Sequence, residues 1–305
     1  MSFVLSLLGV GGPAAAVVTA GDHFYTAGGS DPDQTTAVAT NYEYSQSGNS
    51  WATKTALTVA KYWTGQSTIG TDKFYAIAGY TTVRVATNYE YSQSGDSMAT
   101  KTALGTAVYA VAQATIGTDK AYVMGGFTTV RVDTNSEYSQ IGDSYSSKTV
   151  LTAAKSYTMG TTIGSNLCYA VNGVDAGGES ATNYEYSQSG NTWSAKTAVT
   201  AAKESPGLST IGSDKYYSIG GYNAGAKDTN YEYSQAGDSF STKTAMTAAK
   251  YGPGQSTIGS DKCYASGGAN AGTKTTNYEY SQASNSWATN TAMTSAKSYA
   301  GQSTI

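Results

Sequence analysis

Histidine is all but missing from this chain of 305 residues, which has one, His23. There are two cysteines, Cys168 and Cys263, and two arginines, Arg84 and Arg131. Each shortage closes off a kind of chemistry. A zinc or copper site takes several nitrogen and sulfur ligands, which one imidazole and two thiols cannot supply. No metal and no other cofactor is expected. Ser-His-Asp and Cys-His arrangements cannot be built anywhere but around His23. The formal charge is −3 and charged residues make up 13% of the chain. No basic stripe exists to follow a phosphate backbone, so nucleic acid is not an expected partner. No apolar run approaches the ~20 residues that cross a membrane as a helix, and no membrane association is expected. The N-terminal "MSFVLSLLGVGGPAAA" has an apolar core but no Lys or Arg ahead of it. It reads as a first strand rather than a secretory leader.

What the chain has in abundance is one phrase. "NYEYSQSGNSW" begins at Asn41, and variants begin at Asn88, Asn135, Asn183, Asn230 and Asn277. The EYSQ tetrads start at Glu43, Glu90, Glu137, Glu185, Glu232 and Glu279, with spacings of 47, 47, 48, 47 and 47. A second marker, the Ile of T-I, keeps the same spacings from Ile69 to Ile305. The whole chain, 1–305, is therefore one array and one domain. Each unit reads as four short strands. In the fifth these are "LSTIG", "KYYSIGG", "TNYEYSQ" and "SFSTKTAM", separated by turns. Tyr231 and Tyr233 fall on one face of their strand and Glu232 on the other. No stretch has a helical period. The fold class is all-β, and four strands in about 47 residues suit the blade of a β-propeller. Cys168 and Cys263 occupy the same position in units four and six. That separation exceeds the roughly 7 Å between Cα atoms that a disulfide allows, so both read as buried thiols.

The unit resembles the kelch repeat. Gly220-Gly221 and Gly267-Gly268 supply a glycine doublet after the second strand. Tyr44 to Trp51, Tyr186 to Trp193 and Tyr280 to Trp287 repeat a seven-residue Tyr-to-Trp step, with Leu57, Val199 and Met293 six residues further on. Ala78 and Asn172 replace the first glycine in units two and four, and Met98, Tyr145 and Phe240 replace the tryptophan. The resemblance implies a kelch-like β-propeller of six complete four-stranded repeats. The chain ends imply more. "SFVLSLL" (2–8) aligns with an outer strand and "GQSTI" (301–305) with an inner strand. The two together suggest a partial seventh blade, in a design of which this chain stops about thirty residues early. A ring of six with frayed ends is the alternative.

Catalysis finds little support. Copper oxidases among kelch-like propellers need histidines, and His23 stands where other units have Lys73, Lys120, Lys215 or Lys262. Sialidase propellers need an arginine cluster that Arg84 and Arg131 cannot supply. Their Asp-box turn resembles "SQSGNSW", but Gln46 sits where the Asp should be. Paired carboxylates could in principle cleave glycosides. The glutamates of EYSQ are sixfold, however, and Lys54, Lys101, Lys148, Lys196 and Lys243 recur on the next strand. Cross-strand ion pairing is the expectation for them. The turns "GTDK" and "SQSGNS" are nearly constant and share one face of the ring. The loops on the opposite face vary and carry Tyr62, Trp63, Tyr80, Tyr109, Phe127, Tyr157, Tyr222, Tyr251 and Tyr299. The candidate binding residues are Trp63, Tyr80, Arg84, Phe127, Arg131 and Tyr222. Three readings follow. The first is a non-enzymatic binding module for a glycan or a protein. The second is an architectural subunit with partners in a larger assembly, and the third a carbohydrate-active enzyme. No BTB-like helical region accompanies the repeats. High identity between repeats is a habit of phage fibres and bacterial surface proteins, which favours a virion or extracellular setting by analogy.

Overall fold

Short strands rich in Tyr, Thr and Ser, broken by Gly and Asp turns, leave the chain no choice but sheets. The computed structural model describes residues 22–31 and 33–305. Among these there is no helix, and six four-stranded antiparallel sheets are arranged as a six-bladed β-propeller. In blade 2 the strands, from axis to periphery, are Gly65–Ile69, Lys73–Ile77, Asn88–Ser92 and Ser97–Lys101. The register places Tyr91 opposite Met98 and, in blade 1, Tyr44 opposite Trp51. The residue inserted in unit four is taken up in a loop that forms a small ribbon, Val174–Asp175 paired with Gly178–Glu179.

Ring closure differs from the expectation of a partial seventh blade. The C-terminal strand Gly301–Thr304 pairs with His23–Ala27 and serves as the inner strand of blade 1. It is neither surplus nor frayed. Six complete repeats would need the inner strand of unit one to lie ahead of Asp22, and those residues, with 2–8, lie outside the described residues. An inner strand late in the chain fits that slot because all inner strands are near copies. "GQSTI" at 301–305 is identical to "GQSTI" at 65–69.

Apolar clusters fill each seam between blades. Tyr75, Ile77, Val123 and Tyr138 belong to the seam of blades 2 and 3. Phe24, Tyr44, Ile258 and Tyr264 belong to the closing seam of blades 6 and 1, with Trp51 packed against them. The kelch-like glycines have a steric reason. Gly220 and Gly221 take φ of 64° and 103°, and a Cβ on Gly220 would stand 2.4 Å from the carbonyl oxygen of Lys250. Ala78 (φ 60°) and Asn172 (φ 58°) keep the left-handed bend without glycine.

The repeated glutamates are structural, as expected. Glu90 is buried, accepts a hydrogen bond from the Tyr75 hydroxyl, and lies 2.9 Å from Lys73 and 3.5 Å from Lys101. Burial alone would raise its pKa, but the tyrosine and the lysines hold it below the usual carboxylate range. Lys54, Lys148, Lys196 and Lys243 pair with their glutamates at 3.1 to 3.4 Å. His23 takes in blade 1 the place that Lys73 has in blade 2, with Nδ1 3.6 Å from Glu43. Both cysteines are buried and free.

Three closed rings of hydrogen bonds tie the blades together. Nearest the variable face, the N–H of Trp63 donates to the carbonyl of Tyr299 and that of Ala110 to Trp63. Tyr157, Ser205, Gly252 and Tyr299 continue the circle at 2.9 to 3.1 Å. Lower in the channel, the hydroxyl of Thr68 donates to the carbonyl of Thr304. Thr115, Thr162, Thr210, Thr257 and Thr304 each donate to the preceding member, all at 2.5 to 2.6 Å. On the outer belt, the N–H groups of Thr55, Thr102, Thr149, Thr197, Thr244 and Thr291 donate to Oδ1 of the Asn or Asp in the next blade's tight turn, with Thr291 closing on Asn49.

Candidate functional site

Between each outer strand and the next inner strand the chain turns from periphery to axis. One residue per blade makes that turn with left-handed backbone. These are Trp63 (φ 51°), Ala110 (55°), Tyr157 (53°), Ser205 (47°), Gly252 (56°) and Tyr299 (53°). The αL conformation costs a non-glycine residue roughly 1–2 kcal/mol and is unusual for a bulky one. Gly252 is what the backbone would select. Trp63, Tyr157 and Tyr299 are large residues held there against that preference by the backbone ring just described. The αL angles follow from the bonds each N–H must make, and they set three aromatic side chains around the channel mouth.

The mouth opens on an axial cavity of about 100 Å³. Trp63, Tyr157 and Tyr299 line it, together with the second residue of each inner strand. That residue is Gln66, Gln113, Gln255 or Gln302 in four blades, and Gly160 or Leu208 in the other two. Each glutamine lies across the start of the preceding inner strand. A Cβ on Gly65 would stand 2.4 Å from Gln113 Oε1, and one on Gly207 2.3 Å from Gln255 Cγ. Gln113 and Gln302 donate through Nε2 to Ser67 Oγ and Ser256 Oγ, both at 2.7 Å. Gln66 reaches Ser303 Oγ at 2.7 Å. Gln255 makes no such bond, and its counterpart Ser209 Oγ is also without a partner.

Around the mouth the nine aromatics of the variable loops form one connected network. Trp63 stacks on Tyr109 at 5.2 Å and meets Tyr80, Tyr157 and Tyr299 edge-on at 5.4 to 6.0 Å. Tyr109 touches Phe127. Tyr299 touches Tyr251, which touches Tyr222. Tyr62 packs on Trp63 and Tyr80. Of the residues singled out from sequence, Trp63, Tyr80, Phe127 and Tyr222 thus share one surface. The arginines stand apart from it. Arg84 is exposed at the end of the hairpin that begins at Tyr80. Arg131 lines a separate depression with Asp175. Among the described residues neither guanidinium is seen stacked on a ring.

Two features escaped the sequence reading. Glu204, beside Ser205, has its carboxyl pushed above the ordinary range by burial and by Glu179, with Arg131 opposing. Five lysines of the loops, Lys61, Lys155, Lys203, Lys250 and Lys297, are fully buried rather than displayed. Lys61 Nζ donates to the carbonyls of Ala76 (2.9 Å) and Thr87 (3.3 Å) and lies 4.7 Å from the Tyr89 ring centre. Lys250 and Lys297 repeat this arrangement over Tyr278 and Tyr42. The signal was the recurrence of Ala-Lys at the same place in five of the linkers. The channel glutamines sit at an inner-strand position that is Gln in four units and Gly or Leu in two, two residues ahead of a constant Thr-Ile.

No family model matches the chain, and no curated protein sequence matches it. Its fold is similar to that of a solved structure of YjhT, with a TM-score of 0.70, 12% identity, and coverage of 81% of this chain and 88% of that one. At that identity the likeness speaks for the fold alone. The chain is a six-bladed β-propeller, an architecture commonly used as a binding scaffold.

Proposed function

We propose that this is a non-enzymatic recognition propeller, kelch-like in its repeat, whose variable face binds a glycan or a protein segment. The observation that carries the reading is the connected aromatic network around the axial mouth. Flat, half-buried rings present apolar area at low entropic cost and stack on sugar faces or apolar side chains. The cavity lining contains no Asp, Glu, His, Lys, Arg or Cys, which supports binding over acid–base chemistry there. We further propose a virion or bacterial surface setting, supported by the near-identity of the repeats.

The test is a printed array of neutral and acidic glycans, probed with the wild-type protein and a Tyr80→Ala/Arg84→Ala variant. The wild type should retain a subset of glycans, and the rim variant should lose them by about tenfold or more with its fold intact. Binding that survives in the rim variant but is lost on substituting Ile141, an exposed residue in a constant turn, would move recognition to the opposite face.

A further inference from the structure

Five of the six blades bury a lysine of the preceding linker over a tyrosine ring of the third strand from the axis. The pairs are Lys61–Tyr89, Lys155–Tyr184, Lys203–Tyr231, Lys250–Tyr278 and Lys297–Tyr42, with Nζ 4.2 to 6.0 Å from the ring centre. Blade 3 lacks both partners at once. Val108 stands where the lysine would be, and Ser136 where the tyrosine would be. A cavity of about 380 Å³ opens at that place in the seam of blades 2 and 3, and both residues line it.

The space keeps the rest of the lysine's surroundings. Lys61 Nζ donates to the carbonyl of Ala76 at 2.9 Å and to Thr87 Oγ1 at 3.2 Å. Lys250 Nζ donates likewise to Ala265 at 2.9 Å and to Thr276 Oγ1 at 3.1 Å. In blade 3 the same two positions hold Val123, paired with Ser136 as Ala76 is with Tyr89, and Thr134, which lies in the cavity wall. The acceptors for an amino group are thus present without the amino group. Buried Leu104 and Val108 form the apolar part of the wall with Val132 and Tyr145. Lys148 is the one charged side chain in the wall, and it is paired with Glu137 at 3.2 Å. Lys101 and Glu90 make that pair in blade 2, where Lys61 is nevertheless buried.

We propose that this cavity binds a small arylalkyl primary amine. The amino group takes the acceptors that a lysine takes in other blades. The ring fills the space that the tyrosine leaves, against Leu104, Val108 and Tyr145. Such a ligand restores in one molecule the cation and the ring that the fold uses together five times. Size agrees, since a cavity of about 150 Å³ admits benzene and small-molecule sites begin at about 300 Å³. A ring with a short aminoalkyl chain lies within those bounds. An aryl acid would set its carboxylate against carbonyl oxygens, which offer it no donor. Tyr80 and Arg84 of the rim take no part in this wall, so amine binding does not depend on recognition of a glycan or a protein by the variable face.

The test titrates the intact protein with phenethylamine, tyramine and tryptamine, and with butylamine, phenylethanol and phenylacetate, by calorimetry and saturation-transfer NMR. At least one of the three arylalkyl amines should bind. The ringless amine, the alcohol and the acid should each be at least about tenfold weaker. Val108→Lys/Ser136→Tyr rebuilds in blade 3 the pair of the other five blades, and should lose amine binding by about tenfold or more with the fold intact. Thr134→Val removes one acceptor at nearly constant shape and serves as the second variant if the first does not fold, with the same expected loss. Absence of binding by all three amines overturns the proposal and leaves water as the occupant. Equal binding by butylamine, phenylethanol or phenylacetate also overturns it, as does unchanged affinity in the folded variant.

Discussion

At Asn49 the chain needs a residue that tolerates φ 42° and still presents an acceptor. Its Oδ1 takes the Tyr44 hydroxyl at 2.9 Å within the blade and the N–H of Thr291 at 2.9 Å from the neighbouring blade. Alanine would forfeit both bonds and carry the αL penalty. Asn49→Ala should therefore cost about 2–3 kcal/mol, read from urea midpoints. A value within experimental error of zero would show that the belt of turn carboxamides and carboxylates contributes nothing. Trp63 corrects an expectation at the same scale. From sequence it stands on an exposed variable loop, where replacement by Ala is expected to leave the fold nearly intact, within about 0.5 kcal/mol. In place it is half-buried, in contact with Tyr62, Tyr80, Tyr109, Tyr157 and Tyr299. Its replacement would disturb fold and surface together, which is why the rim test uses Tyr80 and Arg84.

The linker that carries each buried lysine is the element where sequence and structure part most clearly. Desolvation pushes Lys61, Lys203, Lys250 and Lys297 down to about 7. Carbonyl oxygens and ring faces act in the opposite sense, favouring the cation. In the unfolded chain a lysine titrates near 10.4, so between the two values the unfolded state binds more protons. Stability should then rise as pH increases from 7 to 9. Lys297→Met should shrink that rise, and Val108 already places an aliphatic residue at this position in one linker. A urea midpoint that is flat over this range would mean the carbonyl cages keep the lysines charged. The strands were legible because period-two alternation and a fixed repeat are local signals. The Glu–Lys pairs were legible for the same reason, as both partners sit on adjacent strands. Lysine burial was not, because the acceptors for Lys61 come from Ala76 and Thr87 in the next blade. The unpartnered amide of Gln255 was equally hidden, since its identity matches Gln302 and only its surroundings differ.

For the whole molecule, the number of blades depends on which edge the final strand finds. Similarity of "GQSTI" to every inner strand could not settle that, because a repeat records a unit and not the angle between units. Removing 301–305 should strip the inner edge of His23–Ala27 and break both channel threonine bonds to Thr304. The shortened chain should melt lower and self-associate in a concentration-dependent way through its bare edge. Added Gly-Gln-Ser-Thr-Ile peptide should reverse part of the loss. An unchanged melting temperature would mean that this strand does not close the ring. The three hydrogen-bonded circles also change how the fold can come apart. In an open stack, parting one junction sets the terminal blade loose. In a hoop, parting one junction liberates nothing, since every blade is still gripped from its other side. Two junctions must fail at once before a blade can leave. The chance of partial unravelling is then a product of two small probabilities, and shedding a blade becomes a far rarer accident than breaking any single bond between blades.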